Sequence, residues 1–196
     1  QGEVLATPIQ LANMIAAVAN EGYYYTPHII KKIKGERIDP KFLQKHVATV
    51  DKKYFKPVIE GLFGVYNIGT ASGLQVEGID ICGKTGTAEN FAKIRGERVK
   101  LKDHSIFVAF APKDNPKIAI AILVENAGFG ATIAGPIASL MIEKYLRGKI
   151  TRNDLEKRIL EKSLISEYER FTRKSVDTLI NQKIKESPID STLIDN

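Results

Sequence analysis

Apolar side chains at Leu11, Met14, Ile15 and Val18 fall at the i, i+3, i+4, i+7 spacing of one helix face. The chain marks both ends of this predicted helix. Thr7-Pro8-Ile9-Gln10 supplies an N-cap hydroxyl, a proline at the first helical position and a glutamine three residues after the cap. Gly22 offers a residue that closes a helix without strain. The opposite face, Ala12, Ala16 and Ala19, is also apolar, so burial from several sides is expected. A stripe of Phe55, Val58, Ile59, Leu62, Phe63 and Tyr66 predicts a second helix over 52–66, with Pro57 in its first turn or at a kink. Ile133, Ile137, Leu140 and Met141 predict a third over 132–147, ended by Gly148. From Thr151 the charge rises, and Leu155, Ile159, Leu160 and Leu164 mark an amphipathic helix. A polar tail, loose from about Ser187, is expected to follow.

Strands announce themselves differently. Ser105–Ala111 and Ile118–Val124 are apolar with little alternation, the mark of strands covered on both faces. Six residues, 112–117, join them. A parallel crossover takes about a dozen or more, so the two must pair antiparallel as a hairpin. Tyr23 to Lys34, rich in aromatic and β-branched residues, is expected to be extended up to Gly35. After a Gly-rich connector, Gly69-Thr-Ala-Ser-Gly73, a strand through Ile79 and Ile81 is expected to run into Gly83-Lys84-Thr85-Gly86-Thr87. There is no internal repeat.

Composition narrows the setting. With 196 residues and 43% hydrophobic content the chain can bury a sizeable core, as one domain or a large part of one. Its longest apolar run, Ile118 to Val124, is far short of the roughly 18 residues of a membrane span. Gln1-Gly-Glu carries neither the basic start nor the apolar stretch of a signal peptide, and the chain does not begin with Met. A fragment or processed product is expected.

The net charge of +6 is concentrated. Lys31, Lys32, Lys34, Arg37, Lys41 and Lys45 face only Glu36 and Asp39 in one stretch. Lys93, Arg95, Arg98, Lys100 and Lys102 face Glu97 in another. Neither cluster interleaves aromatics that would stack bases, and Trp is absent, so solvated loop faces are expected and no nucleic-acid partner. The lone Cys82 excludes an internal disulfide. No His, Cys and Asp grouping has metal-ligand spacing, and no cofactor is expected. His28, His46 and His104 are expected to serve as hydrogen-bonding residues rather than as a catalytic base.

Lys84-Thr85-Gly86-Thr87 admits two chemistries. Read from Gly78 to Thr85, the chain fits the phosphate-loop pattern G-x-x-x-x-G-K-[ST]. Such a loop needs a flexible, Gly-rich turn between a buried strand and a helix. Here the interior of the pattern, Ile79-Asp80-Ile81-Cys82, alternates like a strand and has no glycine. Nucleotide binding is therefore the remote alternative. Read as K-T-G, the same string is one signature of serine acyl-transferases. Glycines at 83 and 86 let a substrate backbone approach the strand. An exposed edge can take a peptide as an added strand. An ammonium there, with hydroxyls two apart at Thr85 and Thr87, makes a site for a terminal carboxylate.

Around this string lie Gln1-Gly-Glu, Ala6-Thr-Pro-Ile-Gln-Leu-Ala-Asn13, Ala19-Asn-Glu-Gly22, Tyr25-Thr-Pro-His28 and Gly69-Thr-Ala71. Cys82-Gly-Lys-Thr-Gly-Thr-Ala88, Asp103-His-Ser105, Phe110-Ala-Pro112 and Val124-Glu-Asn126 continue the series. In this order they resemble the class B penicillin-binding proteins, nearest to the elongation-specific peptidoglycan D,D-transpeptidases. The resemblance implies an α+β fold, an antiparallel β-sheet flanked by helices, with K-T-G on a strand bordering the active site. It implies that residues 1–148 are the C-terminal portion of the transpeptidase domain; residues 149–196, which the resemblance does not reach, are expected to be a charged amphipathic helical extension with a loose tail. It assigns catalytic roles to Lys84 and Thr85 and substrate binding to Gly86 and Thr87. Lys84, Thr85 and Thr87 would hold the donor's terminal carboxylate or that of a β-lactam, and the Thr87 N–H would serve an oxyanion hole. Lys84 would also help relay a proton to the leaving group.

The implied partners are stem peptides ending in D-Ala-D-Ala, β-lactam antibiotics, the upstream half of the same domain and a cell-wall glycan polymerase. The implied location is the periplasmic face of the inner membrane, anchored through an upstream segment. One departure matters: no serine in the chain begins S-x-x-K or S-x-N. The nucleophile is therefore expected upstream of Gln1, and the 196 residues alone are expected to be inactive. A β-lactam sensor or non-catalytic binding module of the same fold is the alternative.

Overall fold

Thr7 opens the first helix as its cap sequence predicts. Its backbone N–H donates to Gln10 Oε1 at 2.8 Å and its hydroxyl donates to the same oxygen at 3.1 Å. Helix α1 then runs Pro8–Ala19. The structure, a computed structural model, describes residues 4–30, 32–94 and 96–169. Gln1 to Glu3, Lys31, Arg95 and the tail expected from Ser187 lie outside the described residues.

In chain order, β1 (Tyr23–Tyr25) pairs antiparallel with β2 (Lys45–Val47). The predicted extended run to Lys34 is thus only three residues of strand, and its partner was not foreseen. The aromatic cluster raises strand propensity locally, and the pairing with β2 covers only Tyr23–Tyr25. Helix α2 covers Phe55–Asn67 after a 3₁₀ turn at Lys52–Tyr54, and Pro57 sits in its first turn. β3 is Cys82–Ala88, starting later than the strand expected through Ile79, which instead bridges Val76. The basic stretch expected to be loop forms a hairpin, β4 (Phe91–Ile94) with β5 (Glu97–Lys100), turning at Gly96 (φ +91°).

β6 (His104–Ala111) and β7 (Ile118–Val124) form the predicted antiparallel hairpin. The main sheet has the order β3-β6-β7 and is antiparallel throughout. Helix α3 spans Ala134–Arg147 and ends at Gly148 with φ +76°, the left-handed cap its glycine predicts. The amphipathic segment is shorter than expected: α4 is Asn153–Leu160, and Leu164 lies beyond it.

The chain divides into two compact units, 1–161 and 162–196. In the second, α5 is Ile165–Glu169. In the first, the sheet has a core on each face. Phe107, Ala109 and Ala111 pack with Ala134, Ala138 and Ile142 of α3 and with Tyr66, Leu74 and Val76. The alternate residues Val108 and Phe110 pack with Cys82, Ile15 of α1 and Ile59 of α2. Two buried faces explain why β6 is apolar without alternation.

A buried ion pair ties the segment after α3 to this layer. Glu143, fully buried, accepts from the Thr151 N–H at 2.9 Å and from Arg152 Nε at 2.9 Å. Burial pushes its carboxyl up, but the Thr151 hydrogen bonds and the Arg152 charge outweigh this and hold it below the usual carboxylate range.

Candidate active site

β3 stands at the end of the strand order, so β6 covers one of its edges and no described strand covers the other. The register sets Lys84 opposite Val108, Thr85 opposite Phe107, Gly86 opposite Ile106 and Thr87 opposite Ser105. Side chains alternate along a strand, so Thr85 and Thr87 share the face of the α3 core and Lys84 starts from the other face. The Lys84 side chain is exposed and folds back on its own strand. Its Nζ donates to the Thr85 carbonyl at 2.9 Å and lies 3.5 Å from Thr85 Oγ1. The four residues singled out from the sequence are thus together on one strand, with one ammonium and two hydroxyls.

Three residues to which the sequence reading assigned no role of their own shape this strand. Thr70, in the connector after α2, brings its hydroxyl to 3.2 Å from Thr85 Oγ1. Gly130 lies flat on the strand pair: a Cβ there would sit 2.3 Å from the Ile106 carbonyl oxygen and 2.5 Å from that of Gly86. Ser105, fully buried, donates to the Phe129 carbonyl at 3.0 Å and accepts from the Ala134 N–H at 3.1 Å. One serine thereby pins the 129–134 turn onto the sheet opposite Thr87. The Gly128-Phe-Gly130 spacing before α3 was the available sequence signal for a close backbone approach. Gly83 follows the same logic, since a Cβ there would meet the Phe107 ring at 2.9 Å.

Other candidates resolve into supporting roles. His104 Nδ1 accepts from the Asn126 N–H at 3.1 Å, and Asn90 Nδ2 donates to Asn126 Oδ1 at 2.6 Å. This network fastens the end of β6 to the turn after β7, where Asn126 adopts φ +54°. His28 and His46 both bond to Thr26. Cys82 is fully buried, and burial pushes its thiol up to about 12, against the opposing pull of Lys113. It holds no thiolate at neutral pH.

The phosphate-loop alternative fails on geometry. Lys84 and Thr85 lie inside a β-strand, not at the N-terminus of a helix, so no fan of free N–H groups follows Gly83. Among the described residues no group of three His, Cys, Asp or Glu could hold a metal ion.

A family model for the penicillin binding protein transpeptidase domain matches residues 1–143. The peptidoglycan D,D-transpeptidase MrdA of Haemophilus influenzae is 31% identical over 163 residues, 76% of this chain and 25% of the relative. MrdA of Acinetobacter baumannii is 33% identical over 148 residues, 68% of this chain and 21% of the relative. Pseudomonas aeruginosa PBP2, solved in complex with WCK 5153, aligns with a TM-score of 0.60 at 34% identity, over 78% of this chain and 33% of that one. Penicillin-binding protein A of M. tuberculosis, solved as its imipenem acyl-enzyme, aligns with a TM-score of 0.61 at 29% identity, over 74% of this chain and 32% of that one. The chain spans about a quarter of the length of the curated relatives it matches. It belongs to the penicillin-binding protein transpeptidase domain family.

Proposed function

We propose that these residues form the strand-edge wall of a peptidoglycan D,D-transpeptidase, an enzyme that cross-links cell-wall stem peptides by serine acyl transfer. The observation that carries this reading is the edge of β3 that no described strand covers, with Lys84 folded onto the Thr85 carbonyl. An ammonium that meets a carbonyl at the open edge argues that this carbonyl turns away from β6. In an antiparallel strand, residues two apart turn their N–H and C=O groups to the same edge. The Thr87 N–H would then face the ligand side as well.

On this reading a donor peptide lies along β3 with its terminal carboxylate at Lys84, Thr85 and Thr87. A serine outside the 196 residues, in an S-x-x-K motif the chain lacks, attacks the penultimate D-alanine carbonyl. The oxyanion that forms accepts from the Thr87 N–H, a contribution of about 10²–10³ in rate for one such donor. The terminal D-alanine leaves as the amine, taking up the proton that the serine hydroxyl gives up on attack, and the Lys84 ammonium at the strand edge helps relay it. The amine of a second peptide then resolves the acyl-enzyme. Gly86 leaves the strand bare where the peptide passes.

A β-lactam presents the same carboxylate and a strained acyl group, so it acylates the serine and stays. The imipenem acyl-enzyme of the M. tuberculosis relative supports this part. The remaining half of the domain, a glycan polymerase partner and a periplasmic position at the inner membrane complete the proposal. No helix among the described residues is long and apolar enough to cross a membrane.

Peptide mapping after labelling with a fluorescent penicillin tests the assignment. The protein that carries these residues together with its S-x-x-K segment should take up label on that serine. Label on any serine between Ser72 and Ser191, or none at all, would refute it.

A further inference from the structure

We propose that Thr70 is a positioning residue for the reaction, one that sets the Thr85 hydroxyl toward the carboxylate of the ligand. The inference rests on the carboxylate role given to Thr85 above. A threonine hydroxyl on an open strand edge has three staggered rotamers and a free proton, and only one arrangement serves a carboxylate. That arrangement has the Thr85 O–H donating outward while its lone pairs accept from elsewhere. Thr70 Oγ1, at 3.2 Å, is placed to be that donor, nearer than the Lys84 ammonium at 3.5 Å. The chain Thr70 O–H to Thr85 O–H to carboxylate then runs in one direction, and each bond polarises the next.

The position of Thr70 is built rather than incidental. It is fifteen residues from Thr85 in sequence and sits in a connector whose backbone is fixed on both sides. The Gly69 N–H donates to the Gly64 carbonyl at 3.1 Å, and the Ala71 N–H to that of Val65 at 3.1 Å. Residue 69 must be glycine for this, because a Cβ there would come 2.8 Å from Val65 Cα. Ala71 is buried. Further on, the Leu74 carbonyl accepts from Ser139 Oγ at 2.6 Å and from Arg152 Nη1 at 3.1 Å, while Arg147 donates to the Glu77 carbonyl. Arg152 belongs to the segment after α3, so that segment acts on the site from a distance: it holds the loop that holds Thr70. The exposed hydroxyl of Thr70 has no structural need of a partner, since water would serve it. Its direction toward Thr85 is what calls for a reason.

The test uses Thr70→Val and Thr70→Ser in the full protein, with Thr85→Val alongside. Pre-steady-state acylation by a penicillin, and by its methyl ester, separates capture from chemistry. Thr70→Val should weaken non-covalent capture of the penicillin about 3- to 10-fold, the range of one neutral hydrogen bond. The limiting acylation rate should change less than about 2-fold, because the carboxylate is held equally in ground and transition states. Thr70→Ser should behave as the parent, and the methyl ester should not distinguish parent from Thr70→Val. Equal losses for acid and ester, or normal capture by Thr70→Val, would overturn the role of Thr70. If Thr85→Val also captures normally, the carboxylate role of Thr85 falls with it. If Thr85→Val weakens capture and Thr70→Val does not, only the positioning role is lost.

Discussion

Glu143→Gln should lower the melting temperature more than any surface substitution, and the structure says by how much and at which pH. The Glu143 side chain is fully buried, and its acceptors are used by the Thr151 N–H at 2.9 Å, the Thr151 hydroxyl at 2.5 Å and Arg152 Nε at 2.9 Å. Arg147 Nη1 stands 3.7 Å away. Glutamine keeps the shape and one acceptor but leaves Arg152, whose side chain is only 21% exposed, without its counter-charge. Removing one partner of a buried pair costs about 3–5 kcal/mol. Arg152 retains the Leu74 and Gln75 carbonyls and some solvent, so the loss belongs below that range, at roughly 2–3 kcal/mol. For a domain of this size that is roughly 5–10 °C.

The pH dependence carries the sign. The native carboxyl is held below its ordinary value, so its charge stabilises the fold above the unfolded carboxylate pKa, and that stability drains away as pH falls through the native pKa. The gap between parent and variant should therefore be full at about pH 7 and narrow only once the pH has dropped below the ordinary carboxylate range. Calorimetric melts of both proteins across this range decide it. A gap under about 2 °C at neutral pH, or one that persists unchanged in acid, would show that the pair does not hold the segment after α3.

Gly130→Ala should damage both fold and site, because its Cβ would strike two backbone oxygens that cannot rotate aside, at 2.3 and 2.5 Å. A loss of about 1–3 kcal/mol in stability, with slower penicillin acylation, is expected, while Gly73→Ala, which meets nothing within 4 Å, should match the parent in both assays. Cys82, fully buried with its thiol pushed up to about 12, should resist a disulfide-exchange reagent in the native protein and react once the chain is unfolded in urea. Rapid native labelling would contradict the packing of Cys82 between Ile15, Ile59 and Phe110.

The parts of the fold that were legible are those whose signals are local. The Thr7 to Gln10 cap fixed the start of α1, and Gly148 fixed the end of α3, because each acts through a single backbone geometry. The β6–β7 hairpin followed from a connection too short for any crossover. What escaped was the pairing of short or polar strands. β1 finds β2 across a separation of about twenty residues, and no local pattern announces Lys45–Val47 as a partner. The β4–β5 hairpin hides in a run of lysine and arginine that reads as loop by charge, although Arg98 stacks its guanidinium 3.8 Å from the Phe91 ring centroid. At the site, Lys84 to Thr87 were evident as one string. Thr70 and Ser105 lay in segments that carry the family resemblance, but their roles, like that of Gly130, were not legible, since each acts on that string from another element and its meaning lies in a contact.

Penicillin acylation of Lys84→Ala, in the protein with its nucleophile segment present, tests the site most directly. Lys84 is exposed and, among the described residues, its ammonium bonds only to Thr85 of its own strand, so its loss should leave no buried partner unpaired and melting should move by no more than a few degrees. A charge-assisted hydrogen bond to the ligand carboxylate contributes about 1.5–3 kcal/mol, so the second-order acylation rate should fall about 10- to 150-fold. Lys84→Arg should also be poor, because a planar fork does not replace a compact ammonium beside Thr85. An alanine variant that acylates at the parental rate, or that loses activity only in step with unfolding, would remove Lys84 and the β3 edge from the active site.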